Sequence, residues 1–252
     1  MISKLVAVNC GFLLADEGLL TRGEIRRQSR RIPVMSFLIE SDAGVVVWDT
    51  GMCVAVAGDA VGYLGRIARR VMVPDVVEGF DVVSRLQKAG YSVDDVHLVI
   101  NSHLHFDHGG MNSAFPPERV LLREREVAYG AQPDSGYIVS EYSATDAGSP
   151  RTFDYDGEYV LADGLTLIDT PGHTPGHQCL LVEFPSGRRV VLSGDLAYDA
   201  EQLEQERPPG ICWDPVQAQR SIVRAKSYGA EILIGHDPQR WGSSDVQLVH
   251  SE

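Results

Sequence analysis

The protein has 252 residues and carries 22 Lys and Arg against 35 Asp and Glu, so its formal net charge is −13. Nucleic-acid affinity depends largely on neutralising phosphates, and a chain this acidic is a poor candidate for that role. Even the apolar stretch 53–64 is interrupted by Gly58, Asp59 and Gly62, whereas a membrane helix needs roughly 18 uninterrupted apolar residues. The sequence therefore argues against both a nucleic-acid-binding protein and a membrane-spanning one.

A hydrophobic fraction of 44% is ordinary for a globular protein and excludes disordered and collagen-like classes. The first residues are typical of a strand and lack the basic and apolar regions of a signal peptide, so we expect a cytoplasmic protein. No Cys-x-x-Cys pair is present to indicate a zinc ribbon or a thioredoxin-type site. We expect reduced, buried thiols at all four cysteines, which are Cys10, Cys53, Cys179 and Cys212.

The predicted elements alternate between strands and helices. In chain order, the first half predicts a hairpin of strands 34–40 and 45–48, an amphipathic helix from Pro74 to a stop at Gly90, and a strand at 96–100. The second half predicts strand 120–122, helix 124–129, strands 165–168, 178–184 and 188–192, helix 215–228 and strand 231–234. Residues 133–157 predict a long surface excursion. The mixture favours a layered α/β (α+β) fold, and without a repeat or linker we expect one domain spanning 1–252.

The most informative segment is His103-Leu104-His105-Phe106-Asp107-His108, which follows the strand at 96–100. Imidazole and carboxylate are ligands that Zn²⁺ accepts, and two histidines in alternation can turn toward one ion. Asp107 and His108 then face elsewhere, which predicts a dinuclear site with further ligands from distant loops. The alternative is a surface histidine cluster without a metal.

Three more candidate ligands follow predicted strands. His173 comes after strand 165–168, Asp195 after strand 188–192, and His236 after strand 231–234. Loops at one edge of a rigid sheet are the usual carriers of such ligands.

Together, these motifs resemble the metallo-β-lactamase superfamily, which implies an αβ/βα sandwich with a metal site at one edge. The resemblance covers nearly the whole chain, from Trp48-Asp49-Thr50-Gly51 to Ile234-Gly235-His236-Asp237. Within the superfamily the chain is similar to N-acyl-homoserine lactone lactonases, through residues 102–110, Thr170-Pro-Gly-His-Thr-Pro-Gly-His177 and Asp195-x-x-Tyr198. The implied activity is lactone hydrolysis by a hydroxide that bridges two metal ions.

The resemblance also implies roles for individual residues. His103, His105 and His173 would bind the first metal; Asp107, His108 and His236 would bind the second; and Asp195 would bridge two ions about 3.5 to 4 Å apart. The ions would be Zn²⁺, with Co²⁺, Mn²⁺ or Fe²⁺ as substitutes. Tyr198 would steady the oxyanion or protonate the leaving alkoxide, or else would be a packed aromatic residue. Asp107 is expected to take part in catalysis as well as to bind metal. Asp49 would orient a ligand, or else cap local N–H groups as a turn residue.

Other positions are interpreted more simply. In this fold the segment 52–73 would lie over the site, where Tyr63 and Leu64, with Phe106, could line a groove for an acyl chain or could equally be core. Val54, Val56 and Met72 share these alternatives.

We expect a structural role for His177, a half-buried position for His97 and a frayed tail around His250. The cluster Arg26, Arg27, Arg30 and Arg31 favours a solvated face or a subunit contact over an anion site.

Several related activities are less well supported. The β-lactamases generally place a cysteine where Asp195 stands. The helical region of hydroxyacylglutathione hydrolases would not fit in the 16 residues after His236. The nucleases of the superfamily carry basic surfaces, whereas this chain has a net charge of −13. A hydrolase of other esters or thioesters on the same metal pair remains an alternative, and a dinuclear iron redox protein is a more remote one. A homodimer is implied only by the resemblance, and a small-molecule lactone is the expected partner.

Overall fold

The structure, a computed structural model, describes residues 1–21, 28–63, 72–132, 135–144, 148–242 and 245–252. Within these ranges the strands are β1 (Ile2–Asp16), β2 (Ser29–Ser41), β3 (Gly44–Trp48), β4 (Met72–Asp75), β5 (Val96–Ile100), β6 (Val120–Arg123), β7 (Arg151–Phe153), β8 (Glu158–Ala162), β9 (Leu165–Asp169), β10 (Gln178–Glu183), β11 (Arg189–Leu192), β12 (Glu231–Leu233) and β13 (Val246–Ser251). The α-helices are α1 (Glu17–Leu20), α2 (Val54–Gly58), α3 (Val82–Lys88), α4 (Glu124–Gly130), α5 (Ala200–Glu204), α6 (Pro215–Ser227) and α7 (Pro238–Trp241).

The strands form two sheets. In the first, the order is β13-β1-β2-β3-β5-β6-β7, with β4 paired to β1; in the second, it is β12-β11-β10-β9-β8. Strands β3, β5, β6 and β7 run parallel, and β9 and β11 share one direction because both pair antiparallel to β10. Strand β12 is parallel to β11. The carboxyl ends of these strands therefore carry the loops that build the site.

The side-chain alternation of β3 explains the layering. Val45 and Val47 pack into the core on one face of the first sheet, together with Val82 and Leu86 of α3. The other face of β3 directs Val46 and Trp48 into the core between the two sheets. A third core joins the outer face of the second sheet to α6. Since successive residues of a strand point to opposite faces, one apolar strand serves two layers. The result is the predicted αβ/βα sandwich.

Most predicted elements are present, but the helix expected from Pro74 begins later. Residues 72–75 pair with β1 as strand β4, and α3 starts after Asp81, whose side chain accepts a hydrogen bond from the Ser84 N–H at 2.9 Å. The edge of β1 offers backbone partners that override the helical pattern, and the predicted stop at Gly90 is confirmed by its φ of 90°.

The expectation of a frayed tail around His250 was wrong. His250 lies in β13 and pairs with Leu5 of β1, and its ring packs against Phe184 with centroids 4.3 Å apart. This pairing joins the two ends of the chain, which no local pattern indicates. His97 is half-buried as predicted. No helix in the part of the chain that the structure describes is long and apolar enough to cross a membrane.

Candidate metal centre

The four segments that carry the predicted ligands meet at one edge of the sandwich, together with Asp49. Asp49 follows β3, the histidine-rich loop follows β5, and the other loops follow β9, β11 and β12. Three groups of side chains offer converging ligand atoms, each within 4.8 Å of one another: His103, His105 and His173; His103, His108 and Asp195; and Asp107, His108 and His236. The structure thus brings together all seven residues predicted as metal ligands, although they span 134 positions of sequence.

The first group consists of His103, His105 and His173. His103 Nε2 lies 2.8 Å from His105 Nδ1, and His173 Nε2 lies 3.0 Å from the same nitrogen. Three imidazole nitrogens that face one small volume match the donor set of a borderline cation, to which each would bind at about 2.0 to 2.1 Å.

The second group consists of Asp107, His108 and His236. His108 Nε2 and His236 Nε2 are 3.1 Å apart. Asp107 Oδ2 lies 3.6 Å from the first of these nitrogens and 3.4 Å from the second. This mixed nitrogen and oxygen set also suits a divalent cation.

Asp195 lies between the two groups. Its Oδ2 is 3.3 Å from His173 Nε2, and its Oδ1 is 3.0 Å from His108 Nε2 and 3.1 Å from His236 Nε2. Among the described residues, Oδ1 has no hydrogen-bond partner although it is buried. A buried carboxylate oxygen without a donor is costly, and a cation held jointly with the facing imidazoles would remove that cost. The residues present therefore fit a pair of metal ions.

The outer nitrogens of the first group contact uncharged partners. His103 Nδ1 lies 3.0 Å from the Ser102 hydroxyl, and His173 Nδ1 donates to the Ile211 carbonyl at 2.8 Å. His105 has a hydrogen bond to the backbone of Ser135. Such contacts fix the tautomer and orientation of a ligand histidine.

The second group is oriented in part by a carboxylate. His108 Nδ1 lies 2.9 Å from Asp49 Oδ2, and His236 Nδ1 donates to the Pro33 carbonyl at 2.6 Å. Asp49 also accepts hydrogen bonds from the Ser102 N–H and hydroxyl, at 2.7 and 2.9 Å. Its backbone φ of 61° is unusual for a residue other than glycine. Asp49 therefore faces a candidate ligand, and the backbone N–H that donates to it belongs to Ser102, 53 positions along the chain, and not to its own turn.

The two groups differ in their titration. Burial lowers the pKa of His105 and His173 to about 4, and it lowers the pKa of His103 well below its usual value. Burial also acts to lower the pKa of His108, but the carboxylates of Asp195, Asp107 and Asp49 raise it well above its usual value. The first group is therefore neutral at neutral pH, whereas the second lies in a strongly negative environment.

Asp195 is ionised in these surroundings. Burial alone would raise its pKa, but His108, His236 and His173 hold the pKa well below its usual range. The pKa of His236 is raised, since Asp195 outweighs the effect of burial. A carboxylate that stays ionised can offer one oxygen to each ligand group.

His177 holds the backbone of Asp195. Its Nε2 accepts a hydrogen bond from the Asp195 N–H at 3.1 Å, and its Nδ1 lies 2.9 Å from the Thr170 carbonyl. Gly194, with φ of 51°, allows this approach, because a Cβ there would lie 2.5 Å from the Ser102 Cβ and 2.9 Å from His177 Nε2. These contacts match the structural role predicted for His177.

Tyr198 lies beside both groups and is 1% exposed. Its ring centroid is 6.4 Å from that of His173 and 5.7 Å from that of His236. Burial, followed by the carboxylates of Asp195 and Asp107, raises its pKa well above its usual value. Within the described ranges its hydroxyl has no hydrogen-bond partner. It is therefore a neutral phenol whose O–H faces the Asp195 carboxylate without a well-formed hydrogen bond.

Two of the three residues predicted for the acyl-chain groove lie within the described residues. Phe106 is 8% exposed and packs in the core, Tyr63 is 41% exposed, and Leu64 lies outside the described residues. Val56 is fully buried in the core on the inner face of the short helix α2, which is the second of the two alternatives considered for it.

The structure also describes two of the clustered arginines, of which Arg31 is exposed, and all four cysteines. Arg30 pairs with Asp199 at 3.1 Å and Arg31 with Asp75 at 2.7 Å, so these two side chains form ion pairs within the chain, while Arg26 and Arg27 lie outside the described residues. None of the four cysteines forms a disulfide, but only Cys10 and Cys179 are buried.

Sequence reasoning missed Glu126 and Tyr137. Glu126 lies on α4, is 2% exposed and accepts hydrogen bonds from two of the ligand loops. The signal available in the sequence was that the charged Glu126 lies on the same face of α4 as Gly130, one helical turn before it. Tyr137 lies within the predicted surface excursion, yet it is buried and its ring meets the His105 ring edge-on, with centroids 5.2 Å apart. No local pattern indicates that contact.

Comparisons with known proteins agree with this geometry. Residues 30–236 match the family model of the metallo-beta-lactamase superfamily. The N-acyl homoserine lactonase AttM of Agrobacterium fabrum is 34% identical over 223 residues, which cover 84% of each chain. The N-acyl homoserine lactonase AiiA of Bacillus thuringiensis subsp. kurstaki is 29% identical over 250 residues, or 97% of each chain.

Solved structures agree with these sequence matches. An N-acyl homoserine lactone hydrolase with the product N-hexanoyl-L-homoserine bound at its catalytic metal center superposes with a TM-score of 0.86 and 28% identity, covering 97% of each chain. The chain therefore belongs to the metallo-beta-lactamase superfamily, and the two relatives named above, which match 84% and 97% of it, are N-acyl homoserine lactonases.

Proposed function

We propose that the protein is a dinuclear zinc hydrolase that opens the ring of N-acyl homoserine lactones, and thereby acts in quorum quenching. The observation that carries the proposal is the position of Asp195, whose two carboxylate oxygens face two different groups of ligand atoms. The lactonases that match most of the chain supply the substrate class.

The first ion would be held by His103, His105 and His173, and the second by Asp107, His108 and His236, with Asp195 shared. Nitrogen and carboxylate donors suit Zn²⁺ best, and Co²⁺, Mn²⁺ or Fe²⁺ would accept the same set. When bound, such a pair polarises a carbonyl group and makes hydroxide available near neutral pH.

The remaining chemistry is assigned to Tyr198 and Asp107. A neutral, buried phenol without a partner is positioned to donate its proton to the oxyanion of a tetrahedral intermediate or to the leaving alkoxide. Asp107 contributes to the negative environment that keeps this phenol protonated. Phe106, Tyr63 and Leu64 are proposed to contact the acyl chain.

Proton release by zinc-loaded protein, in weak buffer at neutral pH, tests the proposal. The substrates are N-acyl-homoserine lactones of several chain lengths, unrelated lactones and acyl thioesters, and Asp195→Ala and His173→Ala are the matched inactive variants. We expect turnover of the homoserine lactones by the unaltered protein only. Turnover of thioesters without turnover of lactones would indicate that the same site hydrolyses thioesters. Full activity in either variant would refute the assignment of the metal site.

Two further properties are proposed on weaker grounds. The four cysteines form no disulfide, which supports a reducing compartment and hence the cytoplasm. The family resemblance supports a homodimer, which sedimentation of the purified protein would test.

A further inference from the structure

A buried carboxylate outside the candidate ligand set connects two of the ligand loops. Glu126 Oε1 accepts a hydrogen bond from the Gly176 N–H at 2.7 Å, and Glu126 Oε2 accepts one from the Leu104 N–H at 3.2 Å. The hydroxyl of Tyr137 donates to the same Oε2. Each carboxylate oxygen therefore holds a different loop.

Both contacts are made beside candidate ligands of one group. Leu104 lies between His103 and His105, and Gly176 lies three residues after His173. A Cβ at Gly176 would be 2.9 Å from Glu126 Oε1, so the close approach depends on glycine. The Gly176 carbonyl in turn accepts from Arg123 Nη1 at 3.3 Å, which fixes both sides of this residue from the same β6–α4 segment.

Tyr137 extends the connection to the third ligand. Its hydroxyl donates to Glu126, and its ring meets the His105 ring at an interplanar angle of 85°. The adjacent Gly136 carbonyl accepts from the Phe106 N–H at 3.1 Å. The contacts of the Glu126–Tyr137 pair thus reach His103, His105 and His173 through their own loops, whereas the second group is held by Asp49 and by the Pro33 carbonyl.

We infer that Glu126 is a positioning residue that fixes the distance between the loop of His103 and His105 and the loop of His173, and so tunes the first metal site selectively. The inference rests on the proposed dinuclear site. It assigns to Glu126 no contact with substrate. Groups that orient metal ligands change metal affinity by about 10- to 100-fold when they are altered, and a carboxylate that accepts from two backbone N–H groups acts on two loops at once.

The test is a zinc titration of Glu126→Gln against a chromophoric chelator. Glutamine keeps the shape but replaces one acceptor oxygen with an NH₂ group, which must face a backbone N–H or the Tyr137 hydroxyl. We expect the affinity of one zinc site to fall about 10- to 100-fold and that of the other to stay unchanged. His173→Ala and His236→Ala, each of which removes a ligand from one group, identify which site has weakened.

Two further variants separate positioning from loss of stability. Glu124→Gln removes the same charge from an exposed position of α4 and should leave both affinities unchanged. Tyr137→Phe keeps the ring against His105 but removes its hydroxyl, and should weaken the same site by a smaller factor. If Glu126→Gln does not fold, Tyr137→Phe tests the inference in its place.

The optical spectrum of cobalt-substituted protein provides a second readout, because only one of the two cobalt environments should change in Glu126→Gln. Equal weakening of both zinc sites, or unchanged binding at both, would overturn the inference. Lactone turnover is not measured in this experiment, so failure of the proposed substrate and failure of this inference remain distinguishable.

Discussion

The two groups of candidate ligands around Asp195 are built from similar side chains but are held differently. The first group contacts a hydroxyl and backbone groups, and burial lowers the pKa of each of its histidines. The second contacts the Asp49 carboxylate, and nearby carboxylates raise the pKa of both of its histidines. The imidazoles of the first group are thus neutral, whereas the raised pKa values of His108 and His236 favour their protonated forms.

This difference follows from where each group lies in the fold. The loops of the first group are joined through Glu126 of α4, whereas those of the second are tied to β3 through Asp49 and to β2 through Pro33. Separate parts of the scaffold therefore set the geometry of each site, and Asp195 couples them. Variants should weaken one site, both sites or neither, according to which support they remove.

Asp195→Ala should produce the largest effect, since it removes the only side chain that faces both groups in the described structure. We expect loss of bound zinc at both positions and loss of hydrolysis, measured by metal analysis and proton release. The His177 contact to the Asp195 backbone survives the substitution, so the fold should persist. Two equivalents of tightly bound zinc in this variant would contradict the bridging role.

Tyr198→Phe should act on turnover while leaving both metal sites intact. The Tyr198 hydroxyl is buried and makes no hydrogen bond of good geometry within the described chain, so its removal should cost the resting protein little. We expect kcat to fall about 100-fold, as for other lost oxyanion donors, with unchanged zinc content and thermal stability. Wild-type kcat would leave Tyr198 as a packed aromatic residue.

Asp49→Asn should distinguish the two groups. It removes the charge beside His108 Nδ1, and we expect zinc affinity at the second site to fall about 10- to 100-fold. A smaller effect should reach the first site, because Asp49 contacts His103 only through Ser102. Zinc affinity would be measured by competition with a chelator. An equal loss of affinity at the two sites would show that Asp49 stabilises both ligand groups alike.

The sequence predicted the ligands better than their supports. His103, Asp195 and His236 each follow an apolar strand, so a local pattern places them at one edge of the sandwich. The supports depend on contacts between distant segments: the Pro33 carbonyl meets His236 across 203 positions, and Tyr137 meets His105 from within an irregular excursion. Local periodicity contains no information on such contacts.

The same distinction applies to the fold. The strands that alternate with helices were found from their own composition, whereas β4 was mistaken for the start of a helix because its pairing with β1 overrides its apolar spacing. Strand β13 was missed because its partner lies at the opposite end of the chain. Pairings of this kind become visible only in the folded chain.

Asp81→Ala should have the smallest effect and supplies a control for stability. Asp81 caps α3, away from both ligand groups, and accepts from the Ser84 N–H and hydroxyl. Losing such a cap costs about 1 kcal/mol, so we expect a small decrease in the free energy of unfolding, measured with urea, and unchanged zinc affinity at both sites. A change at either site would mean that loss of stability alone can imitate the selective effects above.

The cap also gives a pH dependence. Burial would raise the pKa of Asp81, but hydrogen bonds from Ser84 lower it below its ordinary value of 3.8. Its contribution is therefore complete above pH 3.8 and is lost as the pH falls through the lower, folded-state pKa. Asp81→Asn retains a capping oxygen without a titrating group. The difference in unfolding free energy between the original protein and this variant should shrink on acidification, and a constant difference across that window would show that the Asp81 charge contributes nothing to the cap.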